Sequence, residues 1–461
     1  MSVVLLKYLS ENEDETAAAT LVSTYANTVS ILFMSPLFAV AIYLSGKLGE
    51  YREAMKAEPK LLTQELDEKK EIIASTNANA LMIASAAAVP STLLLYYSKN
   101  VLTSVFQQNV LVVQAAEPYL TTFAFASPGL LTRLSFEQVM FSFGKTKPAM
   151  LMGLANLGVG VVIALGLGFG LDSSPIKIPK WGAKGVALGF LIETYLTALA
   201  YGLYVAFNKE SREFKFFNSL LIRARNNAKQ RWDILTLGGS ISFTVLLELG
   251  ITLALGIFSG LVGAQSQAAM TYYMQFIYFQ FIVLSAFSFS CAQEISRKRG
   301  SNRYLDAKRM SQYGLLTTVL WLTPVPLLFA LYPKAISNGA SSEISVILSQ
   351  LVPIMSISII FDNARYNLLQ QLRAMNDLFV PNMIAFFGMS LGIALIGVLG
   401  LRTSLDINGV GIGYLIGVGL PALGLFLRWH KQIHLKNMEQ QQPPALAVVE
   451  HIAPSSGVLS S

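Results

Sequence analysis

Apolar residues run in blocks of about twenty or more along this chain, separated by shorter polar and charged segments. Eleven such blocks lie near residues 17–44, 72–97, 118–143, 148–170, 185–207, 234–260, 268–292, 310–331, 344–369, 380–399 and 409–427. About 20 apolar residues in a helix cross the hydrocarbon layer of a bilayer. The pattern therefore predicts an all-α integral membrane protein with about eleven transmembrane helices. The segment 428–461 is polar, Gln/Pro/Ser-rich and without period, and is expected to be a disordered tail.

Composition agrees with that class. Hydrophobic residues make up 53% of the 461, charged residues only 13%, and the mean hydropathy is +0.51. The net charge of +7 would point to nucleic acid in a soluble protein, but here it reports orientation. Segments 45–71, 144–147, 208–233, 293–309, 370–379 and the tail carry 25 of the 34 Lys and Arg, whereas the alternate set of loops carries 7. Arg133 and Arg365 are the two expected inside spans. The rich set belongs on the cytoplasmic side, which predicts a multi-pass plasma-membrane protein (inner membrane in a bacterium) with a cytoplasmic C-terminus and an external N-terminus.

Several chemistries are excluded. The single cysteine, Cys291, permits neither an internal disulfide nor a thiolate metal cluster, and is expected to pack. His430, His434 and His451 all lie at or beyond the C-terminal boundary, so no histidine triad or metal site fits within the helices. The "GKT" at Gly144–Thr146 lacks the glycine a phosphate loop needs five residues earlier, where Val139 stands. The chain is not expected to be an enzyme, and any transport must draw on a gradient.

The chain also repeats. An offset of 251 lays Ala17–Gly49 on Ala268–Gly300 without a gap, matching Ala17, Ala18, Thr20, Ser45, Lys47 and Gly49. An offset of 233 lays Gln138–Met150 on Gln371–Met383. Both preserve the membrane side, which predicts two parallel pseudo-symmetric lobes around an axis along the membrane normal, with a cavity between them. The expected division is an N-terminal lobe over 1–207 with about five spans, a basic cytoplasmic linker over 208–233, and a six-span C-terminal lobe over 234–427. The same offset maps Met1–Leu9 onto only the last third of the span containing Glu248, so a first helix is expected to be missing, the alternative being a genuine eleven-helix protein.

Charges within spans need a reason, because an Asp or Arg at a span centre costs about 2.5–3.5 kcal/mol on insertion scales. Glu248 sits in the middle of the run 234–260, too far from either end to reach water. Loss of solvation there suits a carboxyl that takes and releases a proton; the alternative is a protonated Glu248 bonded to Ser242, Thr244 or Thr252. Asp362 lies late in its span with Arg365 one turn on, so it acts either with Glu248 or as the partner of Arg365. Glu193 is a third isolated acid with no clear partner. Arg133 and Glu137, four apart, are expected to pair on one helical face.

These elements resemble the multidrug and toxic compound extrusion (MATE) family over about 17–427. The resemblance is carried by "LLELGITLALGIFSGLVGAQSQAAMTYY", "FDNARYNLLQQLRAMND", and "SFGKTKPAM" followed by "NLGVGVVIALGLGFG" and "WGAKGVALGFLIETYL". It implies two six-helix lobes facing a central cavity, and export of organic cations in exchange for H+ or Na+ by alternating access. It implies that Glu248 and Asp362 bind the coupling ion and substrate, with Na+ a candidate at both; Glu193 and Arg365, from their place within spans, are candidate secondary site residues. Ser358 replaces a tyrosine that sodium-coupled members tend to carry, which leans the coupling toward H+. No cofactor is expected beyond the coupling ion; the expected partners are small organic cations and the bilayer, not nucleic acid, and the chain is expected to be a monomer. The rival classes are a flippase for lipid-linked saccharide precursors, whose cavity would be richer in Arg, and a non-transporting membrane scaffold.

Overall fold

Proline and glycine decide where the apolar blocks become single helices and where they break. The computed structural model describes residues 13–56, 63–170, 179–333 and 342–441. Helices α1 (Glu13–Met34) and α2 (Phe38–Ala54) are joined by a 3-10 turn, Ser35–Leu37, centred on Pro36. Proline brings no N–H to the i→i−4 ladder, so the chain tightens there and then continues. Next comes α3 (Thr63–Tyr96).

The block at 118–143 departs from the expectation of one helix. It is built of α4 (Val110–Ala124) and α5 (Ser127–Ser142), with a turn at Phe125 and Ala126 ahead of Pro128. Pro128 has no N–H to bond back to the preceding turn, so the helical ladder is interrupted there, and the proline sits in the first turn of the new helix, where no N–H is needed. Among the described residues ten helices are each long and apolar enough to cross a membrane, and α4 with α5 make up the remaining apolar block. The N-terminal half closes with α6 (Thr146–Phe169) and α7 (Gly182–Phe207).

The segment between the halves is shorter and more ordered than a linker over 208–233. A short turn, Lys209–Arg212, leads to α8 (Leu220–Asn226), and α9 already begins at Ala228, running to Val262. Phe214 and Phe216 are buried among Tyr51, Phe143 and Tyr201. The second half continues with α10 (Ala264–Gly300), α11 (Tyr304–Leu322), α12 (Pro324–Leu331), α13 (Ser342–Ala374), α14 (Phe379–Leu401) and α15 (Asp406–Gln441). The lobe does not stop at 427. Helix α15 runs on to Gln441, with Trp429 and Ile433 buried and Arg428 paired to Asp377 at 2.6 Å. Residues 442–461 of the expected tail lie outside the described residues.

The repeat appears as physical symmetry. Helices α2 and α10, related by the 251-residue offset, pack on each other through reciprocal glycines. A Cβ on Gly49 would collide with the carbonyl of Arg297, and one on Gly300 with the carbonyl of Gly46. Residues 46 and 297, like 49 and 300, are offset by the repeat, so the two contacts are equivalents across a pseudo-two-fold axis. Ser296 Oγ donates to Ile42 O at 2.8 Å and Ser301 Oγ to Gly49 O at 3.1 Å across the same seam. At this basic-loop end a single core joins the lobes, mixing Leu37, Ile42 and Leu131 with Ile234, Ala292 and Leu369. At the other end each lobe has its own core, Leu95, Leu102 and Val113 in one and Leu351, Ile407 and Val410 in the other. The lobes are thus closed together on the basic side and separate on the opposite side.

Close backbone approach at the seam predicts that Gly49→Ala and Gly300→Ala each lower the melting temperature in detergent, by an overpacking cost of about 1–3 kcal/mol. Gly256→Ala, where a Cβ would meet nothing within 4 Å, should leave it unchanged or raise it slightly.

Candidate ion-binding site

Glu248 on α9 and Asp362 on α13 are brought together by one guanidinium. Arg365 Nη2 lies 3.0 Å from Glu248 Oε1, and Arg365 Nε lies 2.7 Å from Asp362 Oδ1. The i,i+3 spacing on α13 sets the second contact and the packing of α13 against the C-terminal lobe sets the first. The Arg365 side chain is 1% exposed, whereas those of Glu248 and Asp362 keep 17% and 15%. The second oxygen of each carboxylate has no hydrogen-bond partner among the described residues. Each acid therefore presents one oxygen to the arginine and leaves the other open.

This geometry bears on the alternatives that the sequence left open. Ser242 and Thr244 do not bond to Glu248: Ser242 engages Ser35 and Gly238, and Thr244 bonds to Ile241 O and accepts from Arg373. Asp362 lies against Arg365. It is that arginine's partner and, through it, the neighbour of Glu248.

Arg373 was hidden. Counted among the cytoplasmic loops by sequence, it lies within α13, 2% exposed, donating to Ser240 Oγ at 3.1 Å, Ser240 O at 2.9 Å and Thr244 Oγ1 at 2.5 Å, with no acid in ion-pair reach among the described residues. The available signal was the spacing of polar residues Asn363, Asn367, Gln370, Gln371 and Arg373, which recur every three to four positions. That stripe is partly satisfied inside the lobe: Asn367 donates to Ser288 Oγ at 3.2 Å and Trp429 Nε1 to Gln371 Oε1 at 2.8 Å, whereas Asn363 Nδ2, Gln370 Oε1 and Arg373 Nη1 are buried with no partner among the described residues.

In the N-terminal lobe, Arg133 does not pair with Glu137. Its Nη1 reaches across to Glu193 Oε1 at 3.0 Å, which also accepts from Thr197 Oγ1 at 3.0 Å. Glu193 packs on Gly160 of α6, where a Cβ would not fit. The isolated acid thus has a fixed structural partner that sequence spacing did not reveal. Among the described residues no group of three or more His, Cys, Asp and Glu could hold a metal ion.

Comparison with known proteins points the same way. A family model, MatE, matches residues 240–397, which contain Glu248, Asp362, Arg365 and Arg373. A probable multidrug resistance protein NorM of Pseudomonas aeruginosa is 23% identical over 77% of this chain and 72% of its own length. Another of that name, from Synechococcus, is 24% identical over 65% of this chain and 64% of its own, so the chain spans just under two thirds of that relative. The eukaryotic MATE transporter AtDTX14 superposes with a TM-score of 0.73 at 16% identity, covering 95% of this chain and 93% of that one. A MOP superfamily transporter from Pyrococcus furiosus, described as having a binding pocket of reverse polarity, superposes with a TM-score of 0.75 at 13% identity, covering 95% and 91%. The chain has the fold of the solved MATE transporters, and its segment 240–397 matches the MatE model. Within this MATE fold, Ser358 is buried and its hydroxyl donates to Ile354 O of its own helix at 2.9 Å.

A buried arginine shared by two half-buried carboxylates is destabilising to remove, because each acid is then left without its counter-ion. Arg365→Gln should cost about 3–5 kcal/mol, read as a lower melting temperature in detergent. Adding Glu248→Gln should recover part of that loss. An unchanged melting temperature in the single variant would mean the triad contributes nothing to stability.

Proposed function

We propose that the protein is a secondary antiporter that exports organic cations in exchange for H+ by alternating access. The observation that carries this reading is the pair of open carboxylate oxygens on Glu248 and Asp362, set beside a guanidinium that is itself inaccessible. A proton or an amine can approach the acids without first displacing Arg365. Both then compete for the same two groups, and whichever binds weakens the hold on the other, which is the requirement for exchange. The multidrug resistance names of the NorM relatives supply the substrate class. Preference for H+ over Na+ rests on Arg365, which already occupies one oxygen of each acid, and on Ser358, whose hydroxyl donates to its own helix. The basic-loop side, where the lobes meet, is read as cytoplasmic by the positive-inside rule, and the protein is read as working as a monomer in the plasma membrane.

A second reading has one observation in its favour. Arg373 adds a second buried cation, so Glu248, Asp362, Arg365 and Arg373 together are formally neutral when all are charged. A substrate with an anionic group, such as a lipid-linked saccharide precursor, suits that balance better than a simple cation does.

Proteoliposomes decide between them. Ethidium should be transported under an imposed pH gradient and not under a Na+ gradient alone, and Glu248→Gln and Asp362→Asn should each lower that transport about tenfold or more, in line with the 2–5 kcal/mol lost with a buried charge contact. Wild-type rates in Glu248→Gln would make the carboxyl purely structural. Translocation of a lipid-linked saccharide without ethidium transport would favour the second reading.

A further inference from the structure

A cavity of about 640 Å³ opens between the lobes at the basic-loop end. One wall belongs to the N-terminal lobe, with Glu50 and Glu53 of α2 and Glu65 of α3, and the other to the C-terminal lobe, with Arg299 of α10 and Tyr304 of α11. Gly46 and Gly300, whose close approach makes the seam, also line it. The cavity therefore exists only while the two lobes meet on this side. Its volume is that of a small-molecule site.

The two walls differ in chemistry although one repeat underlies both. The 251-residue offset lays Leu48 on Arg299, Glu50 on Ser301 and Glu53 on Tyr304, so acids on one wall are answered by a guanidinium and neutral donors on the other. Each acid has a lysine three or four residues away: Lys47 Nζ lies 2.9 Å from Glu50 Oε1, Lys56 Nζ 3.6 Å from Glu53 Oε2 and Lys69 Nζ 3.0 Å from Glu65 Oε1. These pairs are partly exposed and hold weakly, so an amine entering the cavity can share Glu53 and Glu65. Arg299 has no acid in ion-pair reach among the described residues; its Nη1 donates to Ala374 O at 2.6 Å. Beside it, Tyr304 Oη donates to Asn302 Oδ1 at 3.3 Å. A guanidinium without an acid favours an arriving carboxylate.

We propose that this cavity binds a small zwitterion, an amine and a carboxylate joined as in a short peptide, and that the bound molecule holds the protein closed on its basic-loop side. The amine lies at Glu53 and Glu65 and the carboxylate at Arg299 and Tyr304. A simple cation satisfies one wall and a simple anion the other, whereas a zwitterion bridges both lobes across the seam. The holding role rests on the alternating-access reading; the binding does not. At ten times its Kd, a ligand that binds one state alone disfavours the other about elevenfold.

The test uses calorimetry on the full chain in detergent with triglycine, with N-acetyltriglycine, which lacks the amine, and with triglycinamide, which lacks the carboxylate. The wild type should bind triglycine about tenfold more tightly than either analogue, the scale of one charge-assisted contact. The double variant Glu53→Gln, Glu65→Gln should bring triglycine down to the affinity of N-acetyltriglycine while the melting temperature stays at the wild-type value. Arg299→Gln should bring it down to that of triglycinamide, and Tyr304→Phe should weaken it several-fold, which keeps that wall testable if loss of the Ala374 contact prevents folding. In proteoliposomes, triglycine at ten times its Kd on the basic-loop side should slow ethidium transport about tenfold without raising the ethidium KM, and the double variant should run at the wild-type rate with or without it. No binding of triglycine, equal binding of the three peptides, or a preference that survives the double variant would overturn the site. Binding that leaves a working carrier unslowed would overturn the holding role. Failure of ethidium transport altogether would count against the antiport reading and leave the calorimetric result to decide the site.

Discussion

The C-terminal lobe depends on one guanidinium. Arg365 is closed off from solvent and holds Glu248 of α9 and Asp362 of its own helix at once. In a low-dielectric interior an unpaired charge is costly, so this arginine ties the two helices together as well as balancing their charges. It also explains how acids can persist in mid-span: each is half satisfied, with one oxygen bonded and one left for chemistry. A fully satisfied carboxylate would be inert, and a fully free one would destabilise the fold.

A second constraint acts between the lobes. The glycines of α2 and α10 bring two backbones together without side chains, and the same pairs of residues serve both helices because the repeat makes them equivalents. Such a seam is narrow and made largely of van der Waals contact, with Ser296 and Ser301 adding hydrogen bonds across it. It joins rigid bodies at one end and leaves the other ends to their own cores. An alternating-access carrier needs that kind of contact, firm enough to close one side and limited enough to part.

The linker shows how the two constraints meet. Its Phe214 and Phe216 are anchored in the N-terminal lobe, and its end becomes the helix bearing Glu248. Displacement of one lobe against the other involves this segment, the glycine seam and the contact of the Ser35–Pro36 turn with α9, where Ser35 Oγ donates to Ser242 Oγ at 2.8 Å.

What the sequence determined by itself follows from short-range rules. Apolar runs of bilayer length specify helices because in hydrocarbon the backbone must satisfy its own hydrogen bonds, and a lone Glu248 or Asp362 in such a run stands out because its burial is costly. The glycines and serines of the 251-residue repeat were likewise readable as letters. Partnership was not. Arg133 has Glu137 one turn away, yet it bonds to Glu193 sixty residues on, because the packing of α5 against α7 decides which acid lies in reach. Arg373 reads as a loop cation until α13 is seen to continue through it and α9 to supply Ser240 and Thr244. The break at Phe125 and Ala126 could be inferred from Pro128, but not that both pieces would stay packed in one lobe. Span identity is a property of local composition, whereas the pairing of buried charges depends on which helix faces meet, and only the tertiary structure decides that.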